Sequence, residues 1–245
     1  MPVQGKSLLE QALDNKVNLD SDVLSSAEHY RLFHDKFANY YRFIEKYRYL
    51  SSLPDNRHPI PDLPNPWFNR KLKEFPVRIM GLNSALFCLQ GYIEYGKIRM
   101  GTHQFQEAYS HGKGNGRNKA NDRQDPEVVI LLTHHPLNWL AETEYDEYST
   151  LLNQYAVLHL HGHIHKTHIE KKQRLFSSSG GYVSIGTGSI YGEKGNEDIN
   201  TYHIITLDFE NQEVHVWARR WNPDTGKLTV YDDDGNNRFR LPVKR

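Results

Sequence analysis

Val128-Val-Ile-Leu-Leu-Thr-His-His-Pro136 is a run of five aliphatic residues stopped by a polar turn that carries two imidazoles. A continuous apolar run of this length, ended by turn formers, is what a strand buried on both faces requires. The same pattern returns at Ala156-Val-Leu-His-Leu160, which runs into His161-Gly-His-Ile-His-Lys-Thr-His168. Two buried strands that both finish in histidine point to an α/β protein, because in layered α/β sheets ligands collect outside the carboxyl ends of the strands.

Outward from this pair the texture stays short-period. Residues 182–185, 201–209 and 213–219 read as further strands, with Asn211-Gln212 as a hairpin turn between the last two, and 145–155 reads as a helix. Upstream, Pro76-Val-Arg-Ile-Met-Gly-Leu-Asn-Ser84 alternates as a strand at 77–82, and a helix is expected near 102–110. Residues 111–125 are polar and glycine-rich and read as an exposed loop, while Pro54, Pro59, Pro61, Pro64 and Pro66 make 51–69 a loop. Before it, Phe33, Phe37, Tyr40, Tyr41, Ile44 and Tyr47 recur at helical spacing and predict one helix over 27–50 with an apolar stripe. Ser7-x-x-Glu10 and Ser25-x-x-Glu28 are capping-box patterns for two helix starts. The chain therefore divides into a helical, proline-rich segment, 1–76, and an α/β part, 77–245.

The 245 residues hold 30 Lys+Arg against 30 Asp+Glu, so bulk charge recruits neither nucleic acid nor an anionic membrane. No stretch approaches the roughly 18 apolar residues of a membrane span, so no membrane partner is expected. Cys88 is the sole cysteine, which excludes an internal disulfide and makes the cytoplasm the expected compartment. Against that single thiol stand 14 histidines, which direct attention to metal–imidazole chemistry.

A metal ion needs several neutral imidazoles or carboxylates converging at about 2.0–2.2 Å. In a short extended segment the two rings of a His-x-His suit neighbouring ions better than one. Gly162, ahead of His163, is expected to allow a backbone conformation or a close approach that a Cβ would obstruct.

Thr133-His134-His135-Pro136 after one strand and Gly162-His163-Ile164-His165 after the next resemble the calcineurin-like metallophosphoesterases. Leu82-Asn83-Ser84, Thr187-Gly188-Ser189 and the closing run to Trp221 are similar to segments of that family too. The resemblance implies a sandwich of mixed β-sheets flanked by helices. It also implies that His134 and His163 bind one ion and His165 another, with His135 in a supporting place. His159, His161 and His168 read as strand, turn and surface residues.

The family's Asp-x-His, Gly-Asp and Gly-Asn-His stretches do not occur in this sequence. The fold is therefore expected to lack its first strands, with the missing motifs encoded ahead of Met1, and no catalytic residue is assigned. The complete enzyme would hydrolyse a phosphomonoester or phosphodiester with two divalent ions (Mn, Fe or Zn). Its substrate would be a phosphorylated small molecule, a nucleotide or nucleic acid. This chain alone would bind metal only partially and be inactive. Two alternatives stay open: a non-catalytic partner or scaffold with the same half-fold, and a mononuclear histidine site unrelated to phosphate.

Overall fold

The computed structural model describes residues 8, 10–11, 18–24, 26–46, 67–72, 74–88, 94–111, 128–164, 167–172, 181–188, 201–222, 224–230 and 236–240. The chain forms two compact units, Met1–Arg123 with Leu137–Tyr148, and Gln124–Pro136 with Ser149–Arg245. The expected loop at 111–125, the first capping box at Ser7 and the stretch 47–66 lie wholly or mostly outside the described residues.

In the first unit, α1 (Ala27–His34) starts at Ser26, whose side chain accepts from the His29 backbone N–H at 3.3 Å. The cap is thus one residue later than the Ser25 pattern suggested. A 3-10 turn, Asp35–Phe37, separates α1 from α2 (Ala38–Lys46), so the single helix expected over 27–50 is interrupted. The tighter winding advances each residue by about 20° more than an α-helix does, so three residues rotate the following face by roughly 60°. The apolar stripe splits accordingly. Tyr30 and Phe33 are fully buried with Leu19, Val23, Leu24, Leu86 and Phe87, whereas Tyr40 and Phe43 stand exposed. Lys36 ends up inward, donating from Nζ to the carbonyls of Ala85 at 2.7 Å and Cys88 at 2.9 Å.

Strand β1 (Trp67–Lys71) pairs antiparallel with β2 (Val77–Leu82), Trp67 opposite Leu82. The second strand lies where expected. The first replaces the end of the expected proline loop, because Trp67 and Asn69 alternate inward and find a partner strand. Helix α3 (Thr102–His111) follows, and α4 (Glu142–Tyr155) begins in this unit and ends in the other.

The second unit holds the paired apolar runs. Strands β3 (Val128–Thr133), β4 (Leu158–His161) and β6 (Tyr182–Gly186) lie side by side and parallel, and β5 (His168–Lys172) adds antiparallel to β6. Leu131, Leu158, Val183 and Ile185 are buried, as a parallel sheet covered on both faces demands. A second sheet is antiparallel: β7 (Thr201–Asp208) pairs with β8 (Glu213–Asn222), and β9 (Lys227–Val230) and β10 (Asn236–Arg240) also pair with β8. Its strands alternate cleanly, with Val214, Val216 and Ala218 buried. The β7–β8 connection is a four-residue loop and not a two-residue turn, since pairing ends at Asp208 opposite Glu213. Asp208 holds it by accepting from the Asn211 backbone N–H at 2.9 Å and side-chain amide at 2.8 Å. The protein is thus a mixed α/β chain with one mixed and one antiparallel sheet flanked by helices.

Candidate metal centre

Parallel register builds the site. Thr133 pairs with His161 across β3 and β4, so both strands end level and their following residues share one edge. The ladder continues one step further, where the Gly162 N–H donates to the His134 carbonyl at 3.1 Å. That bond fixes the residue after β3 against the residue after β4.

His163 is then delivered by a three-residue γ-turn. The Ile164 N–H donates to the Gly162 carbonyl at 2.9 Å and His163 sits between them with φ 68°. A β-carbon in this left-handed region costs roughly 1–2 kcal/mol, and such outliers gather where geometry serves function. The strained position is therefore His163 itself. Gly162 is not the position that requires glycine, because a Cβ there meets only the His134 carbonyl oxygen at 3.9 Å and Nδ1 at 4.0 Å. The close approach lies at Gly186 instead, where a Cβ would come within 2.6 Å of the His161 ring.

The turn brings the His163 and His134 rings together, with Nδ1 of one 3.1 Å from Nε2 of the other. The His135 ring joins them, its centroid 4.4 Å from that of His163 and 4.7 Å from that of His134. One nitrogen from each of the three lies within 4.8 Å of the others. His134 is exposed, His163 half-buried and His135 only 4% exposed, so the cluster has a wet side and a dry floor. His165 lies outside the described residues.

A divalent ion fits this donor set. Two imidazoles at about 2.0–2.1 Å from a tetrahedral ion have nitrogens roughly 3.3 Å apart, close to the 3.1 Å separation seen here. An all-imidazole group suits zinc and its first-row neighbours. The family resemblance implies only a supporting place for His135, yet its ring packs against both others and brings a third nitrogen within reach.

Strand β4 itself carries two more histidines. His159 is fully buried, its ring 5.2 Å from and stacked on that of His161, and burial pushes its imidazole down to about 3. Burial also lowers His161, whose Nδ1 lies 3.2 Å from the Gly162 carbonyl. Burial thus disfavours the charged form of both rings. His168 is exposed beside Glu170 at 3.3 Å. Beyond β6, the Thr187 N–H donates to the His161 carbonyl at 3.3 Å, and its hydroxyl lies 3.1 Å from Nδ1 of His203 on β7.

No protein-family model matches the chain, and no curated protein does. Among solved structures, it is similar to a chain from Staphylococcus aureus described as a "putative 5'-nucleotidase" in complex with alpha-ketoglutarate, at 12% identity and a TM-score of 0.30. The similarity covers 75% of this chain and 30% of that one.

Proposed function

We propose that the chain is part of a calcineurin-like metallophosphoesterase, a metal-dependent hydrolase of phosphomonoesters or phosphodiesters. The observation that carries this reading is the 3.1 Å approach of His134 and His163 at the level ends of two neighbouring parallel strands. The strand–histidine motifs of the sequence support it independently. On this reading residues 77–245 carry the phosphoesterase-like part and 1–76 an accessory segment, in the reducing cytoplasm that a lone Cys88 suits.

His134 and His163 hold one ion, His135 closes its buried side, and His165 serves the second of the two ions (Mn, Fe or Zn). A divalent ion held there acts as a Lewis acid on a phosphoryl oxygen. The exposed side at His134 leaves room for a phosphorylated small molecule, a nucleotide or a nucleic-acid end. Without the Asp-x-His, Gly-Asp and Gly-Asn-His stretches the chain by itself binds weakly and turns over little. Calorimetric titration with Mn²⁺ and Zn²⁺ should show saturable binding that His163→Ala abolishes, with aryl-phosphate hydrolysis near background. Folded wild-type protein that takes up neither ion would overturn the reading.

The antiparallel sheet favours a second reading. Tyr202, Ile204, Trp221, Leu228 and Val230 expose large apolar side chains, as a binding partner or scaffold without catalysis would. Aryl-phosphate turnover that disappears in His163→Ala would remove that alternative.

A further inference from the structure

Three strands of the mixed sheet are tied together by side chains outside the proposed ligand set. Nδ1 of His159 on β4 lies 3.1 Å from the Ser184 hydroxyl on β6, and its Nε2 lies 2.9 Å from the Thr133 hydroxyl on β3. Thr133 Oγ1 in turn lies 2.6 Å from the His135 carbonyl oxygen. His159 is 0% exposed, Ser184 8% and Thr133 9%, so water does not compete for these bonds.

The direction of every proton in this chain is forced. A carbonyl can only accept, so the one hydroxyl proton of Thr133 goes to His135. Thr133 Oγ1 must then accept from His159, which places a proton on Nε2. Burial keeps the ring neutral, so Nδ1 carries none and accepts from the Ser184 hydroxyl. The series Ser184 to His159 to Thr133 to the His135 carbonyl has a donor and an acceptor at each step, with no group left over. A threonine whose hydroxyl bonds two residues ahead closes a tight turn, and here that turn is the one that presents His134 and His135.

We propose that His159 and Thr133 are positioning residues for the histidine cluster: their relay from β6 clamps the turn after β3 and so sets the angle at which His134 and His135 face His163. The inference deepens the metal-centre reading and rests on it for its ligand. It assigns a role to His159, which by sequence is one more strand residue. Removing a hydrogen-bonded support of a metal ligand weakens metal binding by about 10–100-fold, and the relay falls in that class although it acts through the backbone.

The test compares wild type with Thr133→Val, Thr133→Ser and Ser184→Ala, using Zn²⁺ competition against a chromophoric chelator and ¹⁵N NMR of the histidine rings. Wild-type His159 should show the Nε2–H tautomer. Thr133→Val should weaken Zn²⁺ by about 10–100-fold and shift the His134 and His163 ring nitrogens, while Thr133→Ser restores both. Ser184→Ala, which leaves the turn itself intact, should fall between them and keeps the test alive should Thr133→Val fail to fold. An Nδ1–H tautomer at His159, or Thr133→Val affinity within twofold of wild type, would overturn the clamp. Should wild type take up no Zn²⁺, the metal reading falls alone. The clamp is then judged by the tautomer and by whether Thr133→Val, and not Thr133→Ser, moves the His134 and His163 signals.

Discussion

Glu144 in the first unit and His159 in the second are both buried polar hubs, 3% and 0% exposed, yet they organise their surroundings with opposite electrostatics. Glu144 gathers donors. It accepts from Arg99 Nε at 2.7 Å, from the Met100 N–H at 2.6 Å and from the Gly101 N–H at 3.3 Å. Burial raises its carboxyl, and Arg99 and the two backbone donors pull it back, so the charge is held only by the company it keeps. Tyr148 donates to the Gly101 carbonyl at 2.7 Å, and Asp20 accepts from the Thr102 hydroxyl and the His103 N–H, completing a knot around the start of α3. His159 instead carries no charge and passes one proton direction from strand to strand. A charged hub fixes a turn firmly but is intolerant of losing a partner. A neutral relay is cheaper to bury and can transmit position to an exposed edge, which a functional site needs.

The contrast sets an order of expected effects. Glu144→Ala removes the buried carboxylate that Arg99 and two backbone N–H groups share and should cost about 3–5 kcal/mol. In a chain of this size that lowers Tm by roughly 6–20 °C, measured by calorimetry. A drop under about 3 °C would erase the distinction between the hubs.

The neutral hub should respond to pH. His159 takes up its proton near 6.5 when unfolded but only at about 3 when folded, so between these values the unfolded state binds more protons. Its contribution to stability is complete above about pH 6.5 and is lost as pH falls, at up to about 1.4 kcal/mol per pH unit. Urea denaturation from pH 7 down to 4.5 should show this acid-side slope, and His159→Gln should flatten it by close to one proton. An unchanged slope would deny the burial of a neutral ring.

Gly186→Ala should cost about 1–3 kcal/mol, because the added carbon meets the His161 ring that lies against β6. Gly162→Ala, where the added carbon meets only the His134 carbonyl oxygen at 3.9 Å and Nδ1 at 4.0 Å, should cost less. The reverse order in thermal melts would contradict the placement of His161. The smallest effect belongs to the first unit: Ser26→Ala removes the cap of α1 and should cost about 1 kcal/mol in the same melts.

The buried parallel strands were legible because continuous aliphatic runs have few other uses, and β2, β3, β4 and β6 lie within about two residues of where pattern alone puts them. The α/β class followed from them. Elements that depend on a partner were less visible. Strand β1 begins beside Pro66, and β5 is His-Ile-Glu-Lys-Lys, polar enough to read as surface until β6 supplies its ladder. The break in the amino-terminal helix is a matter of winding that residue spacing does not encode. At the site, the motifs drew attention to His134 and His163, but not to the γ-turn strain at His163 or the orientation of His135. Those depend on register across strands, where Thr133 meets His161, and a single sequence carries no information on register.

Cobalt(II) titration followed by visible absorption tests the central claim most directly, because ligand-field bands report both coordination number and the presence of nitrogen donors. Wild-type protein should develop bands that saturate near one equivalent, and His134→Ala and His163→Ala should each abolish them while remaining folded. Bands that persist in both variants, or a folded wild type that never develops them, would contradict a metal centre built on these two histidines.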